Sequence, residues 1–153
     1  MFLYRLDQAL NEHGVKYALV GGCAVALHGA VRGTVDIDIV LVISEENFRA
    51  TEKAMDSIGL RSRLPVTAAD VFRFREEYIN NRNMVAWSFV NPKNPVELVD
   101  IIVTHDLKTM KIKKIPSGKH ALPVLAIPDL IRMKKASGRP QDVEDVKALE
   151  KLA

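Results

Sequence analysis

Asp36 and Asp38 stand one residue apart in the apolar run Thr34-Val35-Asp36-Ile37-Asp38-Ile39-Val40-Leu41. Side chains two apart on a strand share a face, so the spacing predicts two adjacent carboxylates, with Val35, Ile37 and Ile39 on the opposite face. Like charges held together against an apolar sheet repel and are costly unless something positive sits between them. A divalent cation fills that role. A third acid, Asp100, lies inside Leu98-Val99-Asp100-Ile101-Ile102-Val103. If the two strands are neighbours, Asp36, Asp38 and Asp100 converge at one end of a sheet. Magnesium prefers oxygen ligands and keeps water and substrate phosphates in its shell. Three carboxylates can hold two such ions about 4 Å apart, one at an attacking oxygen and one on a triphosphate. Asp100 is then the natural proton acceptor for an attacking hydroxyl.

Upstream, Val20-Gly21-Gly22-Cys23-Ala24-Val25-Ala26-Leu27-His28-Gly29 joins the end of one apolar run to the start of a helix. A dinucleotide-binding unit has a similar order of strand, glycines, helix, strand and acid. The G-x-G-x-x-G spacing is missing here, however, and the acids precede further apolar residues rather than ending the strand. His13, His28, His105 and His120 form no zinc-type cluster with Cys23.

The elements that must position these groups can be read along the chain. Leu3, Leu6 and Leu10 predict a helix from about Leu3 to Glu12, stopped near Gly14. A short strand is expected from Val15 to Val20, a helix from Gly21 to His28, and a strand from Val35 to Ile43. Ser44 caps a helix to about Ile58, ended by Gly59. Residues 61–83 are polar and charged, give no clear element, and leave room for a flexible or substrate-contacting loop. Met84 to Val90 and Val96 to Val103 predict a hairpin around Asn91-Pro92-Lys93-Asn94-Pro95. Pro128 to Ala136 and Pro140 to Leu152 predict two helices, each opened by proline, with Gly138 between. The fold class is therefore α+β (α/β-like), a mixed β-sheet with flanking helices. Residues 1–153 are read as one domain, with a core over about 15–127 and a helical tail over about 128–152.

The glycine pair, thirteen residues, then Asp36-Ile37-Asp38 resemble the signature of the DNA polymerase beta-like nucleotidyltransferase superfamily. Asp100 resembles its third acid. Among its members the chain is most similar to small bacterial and archaeal stand-alone proteins, including the abortive-infection type IV toxins. Lys134, Arg139 and the downstream aspartates of Gln141-Asp142-Val143-Glu144-Asp145 resemble the toxin-type tail motif. The resemblance implies a nucleotidyltransferase fold and transfer of a nucleoside monophosphate from an NTP to a hydroxyl. It also implies Mg2+, with Mn2+ as an alternative, on Asp36, Asp38 and Asp100. Gly21 and Gly22 would let backbone amides approach the triphosphate. A serine is frequent at the second position, and Gly22 leaves that hydroxyl contact out. Arg32 and Thr34 would contact phosphate, and Lys134 and Arg139 would neutralise the triphosphate or an acceptor polynucleotide.

The acceptor stays open between protein, RNA 3′ end and small molecule. An antitoxin partner is implied if the chain is half of a toxin–antitoxin pair. The alternative is a non-catalytic nucleotide-binding or partner-binding module of the same fold. A net charge of +3 and a pI near 9.0 suit a polyanionic ligand without requiring one. The basic run Lys108, Lys111, Lys113, Lys114 and Lys119 reads as a solvated face. No apolar run approaches the roughly 20 residues of a membrane span. The N-terminal residues lack a signal-peptide pattern, and the lone Cys23 fits a reducing compartment, so a cytoplasmic location is expected.

Overall fold

The computed structural model describes residues 1–30 and 36–153. Its centre is a seven-stranded sheet in the order β3-β4-β5-β2-β1-β7-β6. The strands are β1 (Tyr17–Val20), β2 (Ile37–Leu41), β3 (Arg61–Ser62), β4 (Ala86–Asn91), β5 (Asn94–Ile102), β6 (Ile112–Ser117) and β7 (His120–Leu125). The helices are α1 (Phe2–Glu12), α2 (Gly21–Leu27), α3 (Glu45–Ser57), α4 (Ala68–Arg73), α5 (Arg75–Arg82), α6 (Ile127–Ser137) and α7 (Pro140–Leu152). β1 pairs antiparallel with β2 and parallel with β7, while β2 pairs parallel with β5. The sheet is thus mixed, as the sequence pattern predicts.

Alternation along the strands sends one set of side chains under α1 and α3. Trp87 and Phe89 lie edge to face at 4.7 Å, and Trp87 also meets Phe48 of α3 at 5.8 Å. Burying these three rings is worth several kcal/mol against an unfolded chain. The other face carries Asp38 and Asp100 and faces a cavity lined by residues of α6 and the start of α7. No helix among the described residues is long and apolar enough to cross a membrane.

Two expectations need correction, and the solvated basic stretch gains an element. Residues 61–83 form β3, α4 and α5 rather than a loop. Thr67 and Asp70 make a reciprocal capping box, and Ala68 and Val71 are buried. Within the stretch around Lys111, Lys113 and Lys114, β6 pairs with β7 as a hairpin whose outer strand exposes its lysines, a common guard on a sheet edge. The acid strand is shorter than Val35 to Ile43. At its far end the Asn47 amide donates to Val42 O and Lys16 O, and Asp106 accepts from Ile43 N, drawing the chain out of the ladder. At its near end the antiparallel ladder stops at Val20↔Asp38, because β1 turns into α2 at Gly21.

Candidate nucleotidyl-transfer site

The parallel pairing of β2 and β5 places Asp38 directly opposite Asp100. Neighbouring strands lie about 4.8 Å apart, and paired residues share a face, so these carboxylates are side by side. Glu97, three residues before Asp100, falls on the other face. It accepts from Arg5 Nη1 of α1 at 2.8 Å and from Asn91 Nδ2 at 2.9 Å.

Asp36 immediately precedes β2 and is exposed. It is still close enough to influence its neighbour. The Asp38 carboxyl is pushed up to about 6, chiefly by burial, then by the charges of Asp100 and Asp36. Lys134 and Arg139 pull it back down. That conflict is what a bound cation would relieve. Asp38 and Asp100 offer the hard oxygen donors that magnesium takes. Among the described residues, no three carboxylate, imidazole or thiol groups form a ready-made cluster; Asp38 and Asp100 are in register, and Asp36 acts on Asp38 through its charge.

Gly21 explains how the backbone reaches this pair. Its φ of +67° belongs to the left-handed region, where side chains are strained. A Cβ there would overlap the Asp38 carboxylate and lie 3.0 Å from Asp38 Cγ. The turn therefore presses bare main chain against the acid. Gly22 is buried in the first turn of α2. Arg32 and Thr34 lie outside the described residues. Cys23 is half-buried, and burial together with Asp38 pushes its thiol up to about 11, so it stays protonated.

Across the cavity, α6 ends at Gly138 in a left-handed cap and α7 begins at Pro140. Lys134 is buried, with its Nζ 2.8 Å from Asp145 Oδ2 and 3.3 Å from Asp142 Oδ1. Arg139 is exposed, and its Nε donates to Asp142 Oδ2 at 2.9 Å. Despite its burial, the Asp142 carboxyl is held well below the usual carboxylate range by Arg139, Ser137 and Lys134. Val20, Gly21, Asp38, Ile102, Leu130, Met133, Lys134 and Arg139 help to line a cavity of about 330 Å³. The tail thus brings its two cations to the cavity that holds Asp38 and pairs both with its own aspartates.

Sequence reasoning missed Ser88, Thr104 and His105. Ser88 pairs with Asp100 across the β4–β5 hairpin and donates its hydroxyl to Asp100 Oδ1 at 2.5 Å. Thr104 Oγ1 meets His105 Nδ1 at 2.9 Å on the cavity wall, where burial and Arg75 hold the imidazole below its ordinary range.

This arrangement of a mixed sheet, a glycine turn and paired strand acids defines the nucleotidyltransferase-like fold. Solved structures with that description share the architecture at low identity. The antibiotic-resistance factor ANT(2'')-Ia matches with a TM-score of 0.66 and 12% identity, over 97% of this chain and 80% of that one. A lincosamide antibiotic adenylyltransferase, LnuA, solved with lincomycin, matches with a TM-score of 0.63 and 15% identity, over 99% of this chain and 96% of that one. An antigenic nucleotidyltransferase-like protein from Paracoccidioides brasiliensis matches with a TM-score of 0.61 and 17% identity, over 99% of this chain and 76% of that one. No curated protein matches the sequence. The family described as "Nucleotidyltransferase of unknown function (DUF6036)" matches residues 2–152, and the chain belongs to it.

Proposed function

We propose that the protein is a magnesium-dependent enzyme that moves a nucleoside monophosphate from an NTP to a hydroxyl acceptor. The observation that carries this reading is the in-register pair Asp38 and Asp100 beside the glycine turn at Gly21. Asp38 and Asp100, with Asp36, would hold the metal. Magnesium bound there supplies positive charge to the triphosphate and lowers the pKa of the attacking hydroxyl.

The chain's own groups account for the rest. Asp100 is steadied at one oxygen by Ser88, leaving the other to take the proton of the acceptor hydroxyl. The acceptor oxygen forms its bond to the α-phosphorus as the bond to pyrophosphate breaks. Main chain at Gly21 and Gly22 approaches the phosphates, and the exposed Arg139 supplies countercharge from the opposite wall, with Lys134 behind it neutralising Asp142 and Asp145. Arg32 and Thr34 are the further phosphate contacts implied by the family pattern.

ATP is the first donor to test, because LnuA is named an adenylyltransferase. The protein is incubated with magnesium, an α-phosphate-labelled NTP and a cell extract, and the labelled product is separated. Transfer that disappears in Asp100→Asn supports the proposal. Tight NTP binding without transfer to any component supports the non-catalytic alternative.

A further inference from the structure

Residues from 64–66 and 78–86, most of them within the polar stretch 61–83, line a second cavity beside the first. Its volume is about 530 Å³, within the range of small-molecule sites. Val85 lines both cavities, so the second lies beside the one that holds Asp38. Asn83 has a φ of +52° as it closes α5, and Met84 N donates back to Tyr78 O at 3.0 Å. That tight turn holds Met84 and Val85 on one wall, facing Leu64 on the other. Leu64 is 54% exposed and Val85 58% exposed, a large amount of apolar surface left open beside a reaction site.

The polar groups of this groove are few and alike in preference. Arg82 makes no hydrogen bond or ion pair among the described residues, nor does the Tyr78 hydroxyl. No carboxylate lines the groove. A polycationic acceptor would meet an unpaired guanidinium and no counter-ion. An acceptor with an apolar body and an acidic group would bury the first against Leu64 and Val85 and offer the second to Arg82. A polynucleotide fits less well, because among the groove's lining residues Arg82 is the one cation, where a phosphate backbone needs several.

We propose that this groove is the acceptor subsite, and that the acceptor is a small hydroxyl compound with an apolar body and an anionic group. This rests on the nucleotidyl-transfer reading, and the test separates the two. Methyl-labelled full-length protein is titrated with anilinonaphthalene sulfonate, an apolar aromatic anion, and separately with kanamycin, a hydroxylated polycation. The expected result is that the anion shifts the Leu64, Val66, Met84 and Val85 methyl signals more than those of Val96, Ile112 and Val143, which are exposed elsewhere. Arg82→Glu should weaken that binding about tenfold, and Arg82→Lys should largely retain it. Equal shifts at the remote methyls, no effect of Arg82→Glu, or equal binding of kanamycin would overturn the proposal. ATP binding with manganese is measured on the same samples. Its persistence in Arg82→Glu shows an intact fold and nucleotide site, so loss of probe binding then reports on the groove alone. Absence of ATP binding in the wild type would instead sink the nucleotidyl-transfer reading.

Discussion

Ser88 and Asp100 face each other across the β4–β5 hairpin, with the serine hydroxyl donating to Asp100 Oδ1 at 2.5 Å. Asp100 in turn stands opposite Asp38 on the next strand. A hydrogen bond to a carboxylate is strong and fixes which oxygen faces the cleft. Ser88→Ala should therefore weaken Mn2+ binding by about three- to tenfold while leaving the melting temperature nearly unchanged. Ser88→Thr should restore most of it. Manganese titration by electron paramagnetic resonance reads the effect, and equal affinity in the alanine variant would make this serine incidental.

Asp38 predicts an unusual pH dependence. Its carboxyl is raised to about 6 in the folded protein, above its unfolded value. The native state therefore holds this proton more tightly, and metal-free stability rises as pH falls from above 6 toward 4. The gain is on the order of 1 kcal/mol once partial solvent exposure is allowed for. Asp38→Asn should remove the trend and stabilise the metal-free protein by a similar amount at neutral pH. Melting curves between pH 4 and 8 decide it; a slope unchanged by the substitution would assign the effect to another group.

Gly21→Ala tests the close approach of main chain to acid. The new methyl would overlap the Asp38 carboxylate and impose strain at a φ of +67°. The expected cost is about 1–3 kcal/mol of stability with loss of NTP-dependent stabilisation. A variant that still gains stability from NTP and magnesium would show that the carboxylate can move aside.

The tail tests differently. Removing Lys134 leaves Asp142 and Asp145 buried without their shared cation, so Lys134→Ala should destabilise the fold by about 3–5 kcal/mol. Asp142 has its carboxyl depressed below the unfolded value. Its contribution is present above the unfolded pKa and is lost as pH falls through the folded one. Arg139 is exposed, so Arg139→Ala should cost little stability and weaken NTP binding by about 1.5–3 kcal/mol if it meets phosphate. Calorimetry and melting on both variants separate the roles. Native NTP affinity in Arg139→Ala would leave the tail purely structural.

What could be read from the sequence followed from local chemistry. The glycine pair, the acid strand, the hairpin and the two proline-opened helices each carry their signal within a few residues. The β2–β5 neighbourhood is only a condition in the sequence, suggested by Asp100, and the structure meets it by pairing Asp100 with Asp38. Ser88 was out of reach because the ladder shifts between Val90 and Asn91. Asn91 pairs with Asn94, yet Val90 pairs with Leu98, so a simple hairpin count puts Glu97 opposite Ser88. Helices α4 and α5 are six and eight residues long, too brief for periodicity to declare, although Thr67 and Asp70 carry a capping signal.

The central claim is that Asp38 and Asp100 hold the metal on which NTP binding depends. Calorimetric titration of a non-hydrolysable ATP analogue with magnesium into wild type, Asp38→Asn and Asp100→Asn tests it most directly. The account predicts magnesium-dependent binding to the wild type and at least a tenfold loss in each variant, about 1.4 kcal/mol or more, with both variants folded. Unchanged, magnesium-dependent affinity in either variant would contradict it.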